Sequence, residues 1–369
     1  MIPIIRLCTD EMLKKLEPLA ISGEEFNIYR IFEGLTMDTI HRCAFGVVSD
    51  VQKYDPDHNK LIEAHRVTLS AKTSELLASL LLCFPEFSII INLIRDITEK
   101  VSDYFHLTSD QTLWQSVEAI VNKRIQAFNE GVNNTHKDII ELMVERLDDI
   151  NGNPLTKIEI IANAIGIDEA AYESPANNLG FVVHHLVNYP DIQNRIHEEV
   201  ERVVNTEANG QLDYETLSRL TYTEAVILEA FRIYPTDPLF ISHSPESDFK
   251  YETMTLPKGV DIRVPTFQLH RDPEFWTDPD VFNPDRFLGA DNQRSINPFV
   301  YQPFGVGPRL CPGKRFTIIE VKLILAKLLL KYRLIAGDMT EPIDGLELNF
   351  KLFSLSPKNG VHIKLMPRN

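Results

Sequence analysis

Between residues 304 and 313 the chain reads FGVGPRLCPG, and these residue types define a chemistry before any fold is considered. Cys311 lies just ahead of a long apolar helical pattern. The free N–H groups and partial positive charge of a helix start stabilise a thiolate. A soft thiolate is a natural ligand for haem iron. Gly305 and Gly307 permit a tight turn around such a ligand, and Gly313 lets the helix backbone approach a flat cofactor. Arg309, two residues before the cysteine, is placed to pair with a carboxylate such as a haem propionate. A lone buried cysteine is more often an inert small hydrophobe. GVGPRL also fails the dinucleotide-binding fingerprint, because its third glycine is absent. The joint pattern Phe304, Gly305, Gly307, Arg309, Cys311 and Gly313 nevertheless has a chance occurrence on the order of 10⁻⁵ or less in a chain of this length.

The elements that must hold these groups are mostly helices. Residues 3–150 read as a succession of amphipathic helices with polar breaks near 21–24 and 130–135, and NGNP at 151–154 is a turn. From 155 to 189 apolar residues recur at helical spacing, which predicts about 50 Å of helix. Pro190 ends it, a second helix follows through Val203, and another runs from about 222 to 234. Between 235 and 264 short strand-like runs alternate with turn residues, notably LPKG at 256–259. Residues 270–310 carry little periodicity, and irregular chain of that length inside a domain is more often functional than idle. A deeply buried helix over 313–332 and a β-like tail near 350–355 and 361–365 complete the reading. The fold class expected is mainly α with a small β part.

Composition sets the outer bounds. A length of 369 residues corresponds to two or three domains or one large helical one. Apolar residues at 44% and charged residues at 24% exclude a disordered or collagen-like chain. A formal charge of −16 argues against nucleic acid as a partner. The cysteines at 8, 43, 83 and 311 form no CxxC pair, which excludes a thioredoxin motif and a cysteine zinc ribbon and points to a reducing compartment. The opening residues carry charges too early for a secretory signal. The stretch 75–94 is the most apolar, but Pro85 and Glu86 interrupt it below the ~18 apolar residues a spanning helix needs. It reads either as two core helices joined at the proline or as an apolar hairpin dipping into one leaflet. His184-His185 has no carboxylate at metal-ligand spacing and is expected on a half-exposed helix face. Asn133-Asn134-Thr135 matches a glycosylation acceptor, a frequent chance pattern.

The cysteine loop resembles the haem-binding loop of the cytochrome P-450 monooxygenases, and other segments resemble the same family in order. EAFR at 229–232 is similar to its ExxR helix, FNPDRF at 282–287 to its PERF segment, and LHRDPEFW at 269–276 and the turn LPKG also match. The resemblance covers essentially the whole chain and is nearest to the animal microsomal branch that oxidises lipophilic compounds. It implies one incomplete domain over 1–369: a helical part facing substrate and membrane (1–150), the distal and ExxR helices (151–234), and a β part with the haem loop and proximal helix (235–369). It implies a buried triad of Glu229, Arg232 and Arg286 that locks the loop, one carboxylate between two guanidiniums satisfying charges that burial would otherwise penalise. It implies Cys311 on the iron and a propionate held by Arg309. His243 stands where many relatives place an arginine against a propionate, so that neutralisation would depend on pH. Family members carry a membrane anchor, early helices and part of the sheet ahead of where Met1 aligns, and neither Trp114 nor Trp276 has the arginine of the family's WxxxR segment. A fragment, a shortened product and a misplaced start all fit that difference. By the same comparison, strands near 239–264 are expected to lose partners and expose an edge.

AAYESP at 170–175 resembles the family's oxygen-activating AGYETT, so Glu173 and Ser174 take the acid and alcohol positions that relay protons to bound oxygen. The departures weaken this relay. Ser174 lacks the methyl that fixes a threonine rotamer, Ala171 replaces glycine, and Pro175 removes a helical donor at ~3 kcal/mol in a regular helix. Asp168 and Glu169 fall where the family has apolar residues over the active site. Pro312 cannot donate an N–H to the sulfur, leaving Gly313 and Lys314 to do so; a more electron-rich thiolate and a lower iron potential than in a Cys-Ile-Gly loop are expected. The implied activity is insertion of one oxygen atom into a lipophilic substrate. NADPH-derived electrons would arrive from a flavoprotein reductase, at the cytosolic face of the endoplasmic reticulum with peripheral membrane contact. Substrate walls are implied at 165–170, 236–241 and 352–356. Two alternatives stay open: an oxygen-independent haem-thiolate isomerase or dehydratase, and a non-catalytic paralogue acting by binding partners.

Overall fold

A computed structural model describes residues 1–53, 109–132, 137–147, 152–206, 211–289, 295–350 and 354–368, with single positions and short runs between 62 and 97. Part of the stretch 75–94, Cys83 included, the acceptor pattern at 133–135 and Leu352 therefore lie outside the described residues. Ten helices are introduced here: α1 (Ile2–Ser22), α2 (Ile28–Ala44), α3 (Ser109–Asn129), α4 (Ile139–Val144), α5 (Lys157–Asn188), α6 (Pro190–Thr206), α7 (Tyr214–Ser218), α8 (Thr221–Ile233), α9 (Thr266–Leu269) and α10 (Lys314–Lys331). The strands are short: β1 (Phe26–Asn27), β2 (Phe240–His243), β3 (Phe249–Tyr251), β4 (Met254–Leu256), β5 (Ile262–Val264), β6 (Tyr332–Ile335), β7 (Leu348–Phe350), β8 (Leu355–Pro357) and β9 (His362–Pro367). The described residues are thus mainly helical with small antiparallel sheets, as the periodicity predicts.

The chain divides into two compact units. The first comprises Met1, Pro3–Lys15 and Arg30–Ala176. Its core joins Ile40, Ala44 and Phe45 of the α2 region to Val117 and Val121 of α3, Ile140 of α4 and Ile160, Ile161 and Ala164 of α5. Gly46 adopts a left-handed φ of 61°, and a Cβ there would collide with the Arg124 guanidinium and the Asp138 carboxylate. That close approach lets Arg124 donate to the Phe45 carbonyl at 2.9 Å while pairing with Asp138 and, at 3.0 Å, Glu141. Arg42 pairs with Asp38 at 3.1 Å within α2, and the Gln52 amide donates to the Asp38 carboxylate at 3.1 Å.

The same unit shows what the unusual acids on α5 do. Asp168 is buried and meets His41 of α2, with Nε2 and Oδ1 3.0 Å apart. One turn on, the Tyr172 hydroxyl donates to Glu33 at 3.0 Å and the Thr36 hydroxyl donates to the Tyr172 carbonyl at 2.9 Å. Positions 168 and 172 are neighbours on one helical face, and here that face belongs to α2. Asp168 was expected to face the active site; the structure corrects this, because a hydrogen bond to His41 of the neighbouring helix accounts for its burial.

The second unit holds Ile2, Leu16–Tyr29 and Asn177–Asn369. Here α10 packs against α6, α7 and α8. Lys322 of α10 is buried and its ammonium pairs with Glu224 and donates to the Leu217 carbonyl at 3.0 Å. One sheet runs β1-β9-β6, and the pairs β2-β5, β3-β4 and β7-β8 stand alone, all antiparallel. β1 had no counterpart in the sequence reading, since two residues carry no alternation; β9 supplies it, Phe26 opposite Ile363. Phe249, Tyr251 and Met254 of β3-β4 are exposed.

Helix α5 spans 32 residues, about 48 Å, and passes through Pro175 without interruption. The Ser174 hydroxyl donates to the Ala170 carbonyl at 2.5 Å, a back-bond common for this residue in helices. His184 and His185 were expected half-exposed. Both are buried at 1%, because Phe282 lies flat on the His185 ring, centroids 3.9 Å apart and planes 8° off parallel. Tyr234 stacks on the same ring at 5.4 Å. Burial lowers the His184 pKa to about 4 and holds that of His185 well below its usual value, so both rings are neutral.

Candidate haem-thiolate site

Helix α8 is the foundation of the site, and its own sequence does not cap it: Leu220 stands at the N-cap without a side-chain bond. Glu199 of α6, itself buried, supplies the acceptors instead. Its carboxylate receives the backbone N–H of Tyr222 at 2.7 Å and of Thr223 at 2.8 Å, and the Thr223 hydroxyl at 2.7 Å. A carboxylate is favourable there because a helix start presents unpaired donors and partial positive charge. Glu199→Ala is expected to destabilise the fold by about 2 kcal/mol, since two buried amides lose their partners. Denaturant unfolding monitored by circular dichroism checks this, and a loss under about 0.5 kcal/mol contradicts it.

Two and three turns later α8 presents Glu229 and Arg232, both fully buried. The guanidinium is bidentate on the carboxylate, Nε to Oε2 at 2.8 Å and Nη2 to Oε1 at 2.9 Å. Its remaining N–H groups go to the carbonyls of His270 at 2.8 Å, Pro279 at 2.7 Å and Val281 at 3.3 Å. All five guanidinium donors are thereby used. Arg286, in the 3-10 turn Pro284–Phe287, brings its Nε to Glu229 at 3.4 Å and donates from Nη2 to the Asp278 carbonyl at 2.8 Å. The Asn283 N–H completes the Glu229 shell at 2.8 Å. So the structure brings Glu229, Arg232 and Arg286 together, one carboxylate between two guanidiniums. Trp276, Phe287 and Val300 pack with Ala225 over this cluster.

The cysteine loop follows. Gly305 and Gly307 take left-handed φ values of 73° and 78°, which only glycine adopts without strain. The Gly305 N–H donates to the Gln302 carbonyl at 3.0 Å, and the Cys311 N–H donates to the Phe304 carbonyl at 2.8 Å, closing the loop on itself. Phe304 is buried edge-on against Phe231 of α8 at 5.7 Å. Cys311 is a free, half-exposed cysteine three residues ahead of α10. Arg309 is exposed, and no described residue forms an ion pair with it. Of the two amides expected to serve the sulfur, that of Lys314 is turned to the Cys311 carbonyl at 3.3 Å. The side chain of His243 lies outside the described residues; its backbone is in β2 opposite Ile262.

A model of the cytochrome P450 family matches residues 1–363. The chain belongs to the cytochrome P450 family. It is 32% identical over 335 residues to cytochrome P450 3A6 of Oryctolagus cuniculus, covering 89% of this chain and 63% of that protein. It is 28% identical over 373 residues to a lithocholate 6-beta-hydroxylase of Mesocricetus auratus, covering all of this chain and 70% of that protein. A bovine relative, cytochrome P450 3A28, is 28% identical over 379 residues, with 100% and 69% covered. The chain thus spans 63–70% of the length of these curated relatives. It is a cytochrome P450 of the animal microsomal type, a family whose cofactor is haem iron supplied with NADPH-derived electrons by a reductase.

The residues present fit that P450 cofactor. Cys311 offers an unbridged thiol in a preformed loop. A Cβ at Gly313 would stand 3.6 Å from the Cys311 sulfur, so glycine keeps that side of the sulfur uncovered. Arg309 and Leu310, both exposed, present one cationic and one apolar side chain, complementary to the anionic propionates and the apolar edge of a porphyrin.

Among the described buried acids that escaped the sequence reading, one has no hydrogen-bond partner. Glu320 lies on α10, 1% exposed, and neither carboxylate oxygen has a hydrogen-bond partner among the described residues. Burial alone raises its pKa to about 8. The unfolded chain releases this proton near the usual carboxylate pKa and the folded chain near 8, so folding binds a proton between them. Stability therefore falls as pH rises through that window, by at most about 1.4 kcal/mol per unit. Glu320→Gln is expected to raise the urea midpoint at pH 8 and to leave it nearly unchanged at pH 4.5. Equal gains at both pH values would contradict the assignment. An isolated glutamate in an apolar helix gives no sequence signal of this kind, because the desolvation comes from the elements packed around it.

Proposed function

We propose that this chain is a haem-thiolate monooxygenase acting on lipophilic organic substrates, with Cys311 as the iron's protein ligand. The observation that carries the reading is the closed loop over Phe304–Cys311, its cysteine free and its anchor the fully buried Glu229–Arg232 pair with the half-buried Arg286 beside it. When bound, haem iron activates dioxygen, so that one oxygen atom enters the substrate and the other leaves as water. Cys311 donates its sulfur; Phe304, Gly305, Gly307 and Gly313 shape the loop that presents it. Arg309 neutralises a propionate, with His243 in the corresponding role on β2.

Glu173 and Ser174, half-buried on α5, are the acid and alcohol that would relay protons for the oxygen chemistry of the bound cofactor. The Ser174 hydroxyl donates its proton to the Ala170 carbonyl, so its lone pairs accept from water. It must rotate off that carbonyl to pass a proton on. In this reading the implied substrate walls stay at 165–170, 236–241 and 352–356, except for Asp168, which is taken up by His41. Phe84, Phe87, Ile89, Ile90, Leu93 and Ile94 are exposed, which supports peripheral contact of this stretch with a membrane surface. No described helix is long and apolar enough to cross a membrane.

Lithocholate, named in the hamster relative, is a suitable first probe. With NADPH, a microsomal reductase and isotopically labelled dioxygen, the expected product carries one labelled oxygen. Product formed equally without reductase and NADPH would overturn the reading.

A further inference from the structure

His270 follows α9 and is fully buried between α8 and the segment leading into the cysteine loop. Its ring makes two bonds to backbone groups whose roles are not interchangeable. The Gln302 N–H lies 3.0 Å from Nε2 and can only donate, so Nε2 carries a lone pair. The Arg232 carbonyl lies 3.2 Å from Nδ1 and can only accept, so Nδ1 carries the proton. The two bonds together fix one neutral tautomer. Protonating Nε2 would face two N–H groups at each other. The Arg232 and Arg271 cations beside the ring oppose that charge as well, and burial with them brings the His270 pKa down to about 3. In return the His270 carbonyl accepts from Arg232 Nη1 at 2.8 Å, so residues 232 and 270 are joined by two reciprocal bonds. Tyr301 stacks on the imidazole at 5.3 Å, and its hydroxyl donates to the Leu228 carbonyl at 2.8 Å.

On the other side Gln302 leads directly to the loop. Its carbonyl accepts from the Gly305 N–H at 3.0 Å, and the neighbouring Phe304 carbonyl accepts from the Cys311 N–H at 2.8 Å. An unbroken run of bonds therefore connects Arg232, His270, Gln302, Gly305 and the turn that carries the sulfur. Glu229 and Arg286 do not touch this run except through Arg232. Among the described residues the imidazole hydrogen-bonds both α8 and Gln302 directly, while Tyr301 joins the neighbouring position to α8 through Leu228.

We infer that His270 is a positioning residue for the cysteine loop: as a neutral Nδ1–H imidazole it transmits the placement of Arg232 to the backbone of Gln302 and thereby sets where Cys311 stands. The inference rests on the proposed role of Cys311 only for its functional consequence.

Two isosteric variants separate the two bonds. Glutamine can place a carbonyl oxygen where Nε2 sits and keep the Gln302 bond. Asparagine can place an amide nitrogen where Nδ1 sits and keep only the Arg232 bond. Hydrogen–deuterium exchange on the purified full-length chain reads the loop without reference to haem. In His270→Asn, peptides covering 302–311 are expected to exchange about tenfold faster than wild type, the effect of one lost buried bond, while those from α8 are unchanged. In His270→Gln the same loop peptides stay within about threefold. Global loss of protection in both variants, or equal loop exchange in both, would overturn the inference. A reduced carbon-monoxide spectrum on the same samples gives an independent readout. His270→Asn is expected to lose a share of the red-shifted band that His270→Gln retains. If the wild-type protein shows no such band, the reading of Cys311 fails, while the exchange pattern still decides the role of His270.

Discussion

Replacing Glu229 with alanine is expected to destabilise this chain by about 3–5 kcal/mol, a large fraction of the stability of any domain. The carboxylate is fully buried and is the counter-charge for two cations, Arg232 at 2.8 Å and Arg286 at 3.4 Å. Removing it leaves a fully buried guanidinium, with only neutral carbonyls as partners, in a site that excludes water. Glu229→Gln keeps the shape and one acceptor but not the charge, and is expected to fall between wild type and alanine. Arg232→Lys is expected to be as damaging as alanine at 229, because three ammonium donors cannot meet the partners that five fixed guanidinium donors reach. Urea unfolding of the four proteins checks the order. A glutamine variant as stable as wild type would show that packing, not charge pairing, holds the cluster.

Substituting Cys311 is expected to separate function from fold. The residue is half-exposed and disulfide-free, so Cys311→Ser should change the unfolding free energy by less than about 1 kcal/mol. The hydroxyl is a hard, poorly ionised ligand in place of a soft thiolate. Loss of thiolate-type spectra and of reductase-driven oxidation by at least two orders of magnitude is expected, with the circular dichroism spectrum retained. A serine variant that retained the oxidation rate of wild type would remove the cysteine from the chemistry.

The parts of this molecule that were legible in its sequence are those where residue type and spacing alone restrict the answer. Two glycines that must adopt positive φ and a cysteine ahead of an apolar helix recur in the structure as a loop; the Glu229–Arg232 pair that anchors it was implied by the family resemblance, since its spacing alone reads as a surface pair. The helices were legible from period, and Pro190 marked the start of α6 as expected. What could not be read were the partners. Asp168 looked misplaced on α5 until His41 was seen opposite it, because sequence reports the face a residue occupies but not the helix that covers it. Glu199 as the cap of α8, the flat stack of Phe282 on His185 and the isolated carboxyl of Glu320 are likewise products of packing between segments distant in the chain. His270 belongs with them: LHRDPEFW identified the segment, but only the two backbone bonds reveal which nitrogen carries the proton.

The central claim is that Cys311 holds haem iron through its sulfur. The most direct measurement is a reduced carbon-monoxide difference spectrum of the purified chain, with Cys311→Ser beside it. A strongly red-shifted Soret band in the wild type, absent from the serine variant, is the predicted result, and it reports haem, thiolate ligation and an open distal position together. An identical band in both proteins, or a haem-loaded wild type whose Soret band is not red-shifted, would contradict the account.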